Sequence, residues 1–568
     1  MPDDRAIDVA LVVSGMELRP ELLAHVEQAV VDEDLYRPAM FAITLADPNH
    51  DIVGRTGLRP GVEVEISVVG PAAADDRPLL TGDVVTIECD YDELGARVVA
   101  RGYAATHRLH RGRRTRVFRD VTDSDIVKQV ADEARLTVGR IESTSEVHDH
   151  VSQANVSDWD FLADRARRVG LDLTIVDGEL RFGQRATSAD APPEASPDVS
   201  RPPTHLTFGY NLESFHGRVS AAAQVGDVEV RGWDEDRKAA VVATSGAGTG
   251  AATLATASPT ELAGFFRSPT FVEVNAPVHG EREAGDTAKA IAERIGSAFA
   301  EAEGSAHGST ALRAGVAVRV SRVSDDFSGA YVLTRVRHVL NRRGYVSHFT
   351  VSGRHDRSLL GLLGANGNGN GAAHGDGLAG RAAPGVVRGL VSDNRDPEKL
   401  GRVKVRFPWL DEDYSSTWAP VMQLGAGPDS GTFFLPAVGD EVLVGFEHGR
   451  VDRPVVIGGL FNKTDKPPGY ADFLDDGAVT GRGIWSRTGH RISLHDGNDA
   501  AGIILRAVDG QGGSVVSIGL NATDEKLVVW SEGDIAVEAL GDITLKGANV
   551  TVQADRDLVL KGATIKLN

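Results

Sequence analysis

The end of the chain imposes the tightest constraint on what it can become. Apolar pairs with one residue between their members, Ile535/Val537, Ile543/Leu545, Val550/Val552, Leu558/Leu560 and Ile565/Leu567, recur every seven or eight residues. Short dipeptides precede them: Gly533-Asp534, Gly541-Asp542, Ala548-Asn549, Arg556-Asp557 and Ala563-Thr564. Spacing of two puts both members of a pair on one face of a three-residue strand. One chain cannot bury so narrow a face alone, as in other repeat architectures. Three chains wound about one axis can, each supplying one wall of a triangular prism. Interleaved strands would then advance the axis by about 4.8 Å each. A single-chain solenoid needs longer repeats, of about twenty residues or more. The pattern predicts a homotrimer with these ten side chains as its core.

A second stretch is equally informative. In Gly401-Arg402-Val403-Lys404-Val405-Arg406-Phe407, Val403, Val405 and Phe407 alternate with Arg402, Lys404 and Arg406, the period of a half-buried strand. Leu443 and Phe446 lie in a β-rich run opened by Gly439-Asp440 and closed by His448-Gly449. Pro454 precedes Val455, Val456 and Ile457. Several short strands in under about eighty residues, with no helical period, predict a small closed barrel such as an OB-fold. That fold alone serves many functions.

The residues of this stretch say more. GRVKVRFPWLDEDYSSTWAPV and GTFFLPAVGDEVLVGFEHGRVDRPVVIGGLFN resemble the OB domain of VgrG and phage baseplate spike proteins, almost without a gap from Asp396 to Asn462. Further upstream, Gln153-Ala154-Asn155-Val156-Ser157-Asp158-Trp159-Asp160-Phe161-Leu162 and Gly232-Trp233-Asp234 are similar to the hub of VgrG and of phage late-control D proteins. Ser486-Arg487-Thr488-Gly489-His490-Arg491-Ile492 resembles the segment that begins the family's needle. The hub likeness spans about residues 5 to 355 and is patchy. The resemblance implies the central spike of a contractile injection machine, with a tail-tube hub before the OB domain and a trimeric β-needle after it.

Length and charge agree with such a part. At 568 residues the chain should hold several domains. A net charge of −21 argues against general nucleic-acid binding or adhesion to anionic lipid. Cys89 is the only cysteine, which excludes an intrachain disulfide and a multi-cysteine zinc cluster; it is expected as a small buried apolar residue. The start, MPDDRAIDVALVVSG, lacks the basic opening and apolar core of a signal peptide, and no run of 18 apolar residues occurs. Folding in the cytoplasm is expected, followed by incorporation into a phage-tail-like particle that is released or fired outward.

Along the hub, strands are predicted at Ala6–Val13, Phe41–Leu45, Val62–Val69, Asp83–Glu88 and Arg97–Tyr103, with a helix over Pro20–Val31 from the spacing of Leu22, Leu23, Val26 and Val30. A helix capped by Thr122 or Asp123 carries Ile126, Val127, Val130 and Ala134; another starts at Ser157 or Asp158 and ends at Gly170. A hairpin turns at Asp177-Gly178. Ala186–Pro203 and the Gly/Ala/Thr-rich Ser245–Ser258 are predicted loops, and Asp286–Glu303 a helix. Strands at Gly315–Val323, Gly329–Val339 and Val346–Ser352 close the region.

Several motifs invite a chemical reading. The basic run His107 to Arg119 could contact nucleic acid, yet it lacks interleaved aromatics before Phe118 and belongs to an acidic chain; a charged surface or interface stripe is the better reading. His148 and His150 form an H-x-H without a third ligand at recognisable spacing, and read as a solvated loop. His490 has no nucleophile or carboxylate placed beside it by the motif. The Asn-Gly repeats within Gly361–Gly385 lack the strand, helix and Lys-Ser/Thr pair of a phosphate loop and read as a flexible linker.

The chain is therefore expected to be mainly β: a tail hub of two β-barrel subdomains plus helices over 1–360, a Gly-rich linker over 361–386, an OB-fold over 387–464, a neck over 465–497 and a triple-stranded intertwined β-helix needle over 498–568. No catalytic residue, metal site or cofactor is expected. Hydrolase domains occur in some relatives after the OB domain or the needle, but only about twenty-five residues separate Asn462 from Arg487 and nothing follows Asn568. A cell-wall or lipid hydrolase hidden in the hub, or a phage tail spike, are the alternatives. The resemblance implies an inner tube protein, baseplate proteins, a PAAR-type tip protein and effector cargo as partners, with the target membrane met only transiently. The tip would dock on Ala563, Thr564, Ile565, Lys566, Leu567 and Asn568. An extracellular injection system, a type VI secretion system and a phage tail remain open as the machine. High Arg over Lys with abundant Ala and Gly suggests a GC-rich genome; an actinobacterial source would favour the extracellular type.

Overall fold

A computed structural model describes residues 9–353 and 385–566, apart from loop positions 71, 75–76, 94, 177, 185, 195–201, 235–236, 238, 275–277, 279, 409, 412 and 498–500. Residues 354–384, which hold most of the linker expected over 361–386, lie outside the described residues, as do Leu567 and Asn568; Val386 already belongs to the first barrel strand. The chain is mainly β and divides into two compact units, Met1–Leu460 and Phe461–Asn568.

The first unit is built on an eleven-stranded sheet that splices the two ends of the hub sequence together. Val26–Asp34 and Arg37–Ala46 form a hairpin, and Arg335–Asn341 pairs with the first of these strands, setting Val339 opposite Val30 and His338 opposite Val31. One core gathers around Leu11, Phe41, Ile43 and Ile66, a second around Phe299, Val318, Tyr331 and Phe349. The strands that carry the two cores share this one sheet.

The expected helix over Pro20–Val31 shrinks to the single turn Pro20–Leu23, because Val26–Asp34 is an inner strand of the sheet. Five consecutive residues, Ala29 to Glu33, are buried there. When both faces of a strand are buried, apolar spacing does not separate strand from helix. The helix expected over Asp286–Glu303 is Glu281–Ser297, and its final residues belong to the strand Ala300–His307. In Ala300-Glu301-Ala302-Glu303 only the alanines are buried, so pairing with Leu212–Val219 overrides helix propensity. Ser245–Ser258 is not simply a loop: Ala252–Leu254 pairs with Gly329–Val332 and buries Ala252 and Leu254. Ala186–Pro203 contains the short helical turn Ser188–Asp190, with Ser188 buried. Cys89, expected to be buried, is exposed, on the far portion of Leu80–Asp92 that runs beyond the core.

A helical layer carries a third core. Thr122 caps Asp123–Glu133: its hydroxyl accepts from the Asp125 amide at 3.2 Å while the Asp125 carboxylate takes the Thr122 amide. Ser157 caps Asp158–Arg168 by accepting from the Asp160 amide at 3.1 Å. Gly170, at φ 68°, ends that helix in the left-handed conformation that glycine adopts without strain. Ile126, Val127 and Val130 meet Phe161 and Leu162 above the hairpin Asp172–Val176/Glu179–Gly183, and Phe118 stacks on Phe161 at 5.6 Å.

The barrel follows the alternation. Val403, Val405 and Phe407 are fully buried with Val442, Val444 and Val456. Its strands run in the order Ser415–Ala419, Val403–Arg406, Val386–Asp393, Glu441–Phe446 and Pro454–Gly459. The sheet closes on itself: the Val456 amide donates to the Pro420 carbonyl at 2.9 Å, and the Met422 amide to the Val456 carbonyl at 2.8 Å. Closure removes both open edges.

The second unit contains a five-stranded antiparallel meander, Gly481–Trp485, Arg491–His495, Gly502–Val508, Ser514–Asn521 and Lys526–Ser531. Phe473 covers its first strands, with its ring 5.2 Å from Trp485 and 5.4 Å from His495.

Candidate assembly surfaces

Three places in the chain hold groups that packing alone does not require. The first lies inside the hub. Asp123, fully buried, accepts from the Arg165 guanidinium and lies 2.9 Å from His148 Nε2. Burial pushes its carboxyl up, but His148 and Arg165 outweigh that and hold it below the usual carboxylate range. His148 is therefore a partly buried pin between the strand Val147–His148 and two helices, not the solvated residue that its spacing suggested. His150, in the connection just before the strand Val151–Val156, is not simply solvated either. Its Nε2–H donates to the Ser415 carbonyl of the barrel at 2.7 Å, and burial lowers its pKa. The two histidines serve different partners, and among the described residues no group of three or more metal-ligating side chains occurs.

The second place is the junction of hub and barrel, and His150 belongs to it. The Tyr414 hydroxyl donates to Ser152 Oγ at 2.8 Å. Arg168, the last residue of its helix, pairs with Asp164 at 2.8 Å and with Asp452 of the barrel at 3.2 Å. Arg450 pairs with Asp452 at 2.7 Å. Burial pushes the Asp452 carboxyl up, yet the two guanidiniums drive it far below the carboxylate range. Two guanidiniums against two carboxylates satisfy one another in a half-buried setting, where losing one partner strands the rest. Above the junction opens a cleft of about 1570 Å³ whose walls include Tyr36, Trp159, Arg294 and Asp452. Of the seven aspartates that line it, Asp32, Asp83, Asp164 and Asp452 are ion-paired, with Arg335, Arg108, Arg168 and Arg450 among their partners; Asp34, Asp160 and Asp172 line it as well. Part of the basic run is engaged within the hub: Arg108 pairs with Asp83, and Arg114 and Arg116 both pair with Glu133 and Asp158, while Arg111, Arg113 and Arg119 are exposed.

The third place is the second unit. Its meander sets Ile484, Ile492, Leu505, Ile518 and Val529 directly opposite one another across all five strands. Leu494, Ile503, Leu520 and Leu527 form a second row on the same face. In one copy every one of these nine side chains is exposed. Of the needle residues, Ile535, Val537, Ile543, Leu545, Val550, Val552, Leu558, Leu560 and Ile565 are 51% to 77% exposed, and among the described residues beyond Ser531 no strand forms within the single chain. Ala563, Thr564 and Lys566 are exposed as well, while Leu567 and Asn568 fall outside the described residues. The nine-residue face was missed in the sequence: its first two strands sit where a neck was expected, and the other three at the start of the expected needle, ahead of the apolar pairs that begin at Ile535. The alternations Ile503/Leu505 and Ile518/Leu520 were the available signal.

Comparison with known proteins agrees with this architecture. Residues 387–461 match the type VI secretion system/phage-baseplate injector OB domain. The type VI secretion system spike protein VgrG2a of Pseudomonas aeruginosa is 40% identical over 87 residues, 15% of this chain and 10% of that relative's length. VgrG3 of Vibrio cholerae is 39% identical over 75 residues, 12% of this chain and 7% of the relative. A chain of the half-lidded Francisella PdpA–VgrG complex shares the fold across 93% of this chain and 88% of its own, with a TM-score of 0.52 and 9% identity. Barrel and fold define a VgrG-like protein of the baseplate-spike class. Residues 4–342 match the Alg8 N-terminal domain, and the chain belongs to that family.

Proposed function

We propose that three copies of this chain form the central spike of a contractile injection system, with a mechanical and not an enzymatic role. The observation that carries the trimer is the aliphatic ladder Ile484–Ile492–Leu505–Ile518–Val529. A sheet that exposes nine aliphatic side chains on one face to water is unstable as a free surface. Three such sheets facing a common axis bury it, and the pairs from Ile535 to Leu567 continue the same inward stripe toward the end of the needle. The hub would meet the inner tube and baseplate proteins, and residues 563–568 would receive a PAAR-type tip. Effector cargo would ride on this assembly, and the target membrane would be met only on firing.

The rival reading, a hydrolase within the hub, finds little support in the cleft. A general acid needs a carboxyl kept neutral, and a glycosidase pair sets that acid at a defined distance from a second, ionised carboxylate. Four of the seven aspartates that line the cleft, Asp32, Asp83, Asp164 and Asp452, face guanidiniums instead. Light scattering on the purified full-length protein tests the reading. A trimeric mass is expected. A monomer at micromolar concentration with the C-terminal strands folded would overturn it, and turnover of peptidoglycan or lipid by the purified protein would overturn the mechanical role.

A further inference from the structure

The five-stranded meander has a second face of different composition. Across it the register aligns Trp485, Arg491, Arg506, Ser517 and Trp530 in one row, one residue from each strand. Neighbouring strands lie about 4.8 Å apart, so Arg491 and Arg506 stand side by side. Each row member is next in sequence to a residue of the aliphatic ladder, and adjacent strand residues point to opposite faces. Covering the ladder therefore leaves the arginine row on the far side of the sheet.

Like charges directly opposite one another destabilise a sheet. Arginines elsewhere in the chain meet carboxylates, as Arg165 meets Asp123 and Arg168 meets Asp164 and Asp452. Arg491 and Arg506 have no ion pair or hydrogen bond among the described residues, and the Nε of each is buried without an acceptor. A donor left so costs its desolvation in full. Both side chains are only half-buried.

The pair sits on a rigid mount. The Ser486 amide donates to the His490 carbonyl at 2.8 Å, and His490 Nδ1 accepts from the Val508 amide at 3.1 Å, which ties the loop before Arg491 to the strand of Arg506. Asp509, three residues beyond Arg506, does not serve the pair. Its carboxylate accepts from the Gln511 and Gly513 amides of its own turn, at 2.9 and 2.7 Å.

We propose that Arg491 and Arg506 form a carboxylate-binding pair that takes an acidic segment of a partner protein, with exposed Trp530 as an apolar shelf beside it. A guanidinium fork matches a carboxylate with two parallel hydrogen bonds, and a preset fork loses little freedom on binding. Arg and Trp are also the side chains most enriched where protein partners bind tightly. The site is two cations wide in a chain of net charge −21, which repels a long polyanion, whereas a short acidic segment presents one or two carboxylates. This site goes beyond the assembly proposed above and uses none of the residues that carry it.

The test uses the full-length protein and a fluorescein-labelled peptide with an Asp-Glu pair between two phenylalanines, beside its Asn-Gln counterpart. Anisotropy should show the acidic peptide binding at least tenfold tighter than the neutral one. Combining Arg491→Gln with Arg506→Gln should abolish that preference while the mass in solution stays the same. Without peptide, either single substitution should raise the melting temperature at low salt, because it removes a like-charge contact. A lower melting temperature would show that a carboxylate of the protein itself, such as one from a neighbouring copy, already pairs with the arginines, and would overturn the site. Equal binding of the two peptides, or unchanged preference in the double variant, overturns it as well. Tighter binding of an oligothymidylate overturns the protein partner in favour of nucleic acid. Displacement of the peptide by equimolar inorganic phosphate overturns it in favour of a small free anion. A monomeric mass with the peptide preference intact overturns the trimeric reading and leaves this site standing.

Discussion

Arg168 and Asp452, 284 positions apart in the chain, meet at 3.2 Å and join the last turn of a hub helix to the barrel. The pair sits in a four-member network with Asp164 and Arg450, flanked by the His150–Ser415 and Tyr414–Ser152 hydrogen bonds. Hub and barrel are therefore coupled by specific chemistry and not only by the chain segment 354–384. In a spike that transmits thrust, such a junction gives load a direct path from hub to barrel.

Replacing Arg168 with Met should leave Asp164 and Asp452 half-buried beside fewer cations. Loss of one member of a fully buried pair costs roughly 3–5 kcal/mol. Arg168 is 23% exposed, so a smaller loss of about 2–3 kcal/mol is expected here. Calorimetry should show the barrel melting apart from the hub, where the parent melts as one. An unchanged single transition would mean that the ion pair does not hold the junction.

His338 makes stability depend on pH. It is fully buried in the hub sheet, its Nδ1 accepts from the Tyr345 hydroxyl at 2.8 Å, and burial aided by Arg313 pushes it down to about 3. An unfolded chain takes up this proton near the ordinary value of 6.5. Between the two values the unfolded state binds the proton and the folded state does not. The contribution is thus fully present above about pH 6.5 and is lost as pH falls toward 3, at up to about 1.4 kcal/mol per unit. Urea midpoints from pH 7 to pH 4.5 should fall, and His338→Asn should flatten that fall. An equal slope in the variant would assign the acid sensitivity to other groups.

Ile543→Asp tests the inward stripe of the needle. In a trimer it would set three carboxylates around one axis, each desolvated and facing two like charges. Loss of the trimeric mass is expected, with hub and barrel still folded by circular dichroism. A needle that kept its protease resistance would show that position 543 faces outward.

Deleting residues 563–568 should leave the trimer intact, because the upstream repeats still pair. Co-purification of a PAAR-type tip protein should be lost. Undiminished affinity of the truncated spike would move the docking site to the neck.

What the sequence determined by itself was everything governed by short period or by local chemistry. Val403, Val405 and Phe407 entered the barrel core as their alternation required. Thr122 and Ser157 capped the helices they precede, because a side-chain oxygen reaches an amide three residues ahead whatever the rest of the fold does. The described members of the apolar pairs, Ile535 to Ile565, stand exposed in the single chain, as a face too narrow to bury itself would. Tertiary structure decided what depends on neighbours distant in sequence. Val26–Asp34 became a strand instead of a helix because Arg335–Asn341 lies beside it, and Ala300–His307 did so because Leu212–Val219 lies there. His148 and His150, two positions apart, received opposite assignments from Asp123 and Ser415, which no spacing rule connects to them. Local patterns fix what a segment can bury or bond; only the assembled sheet and barrel determine which distant group meets it.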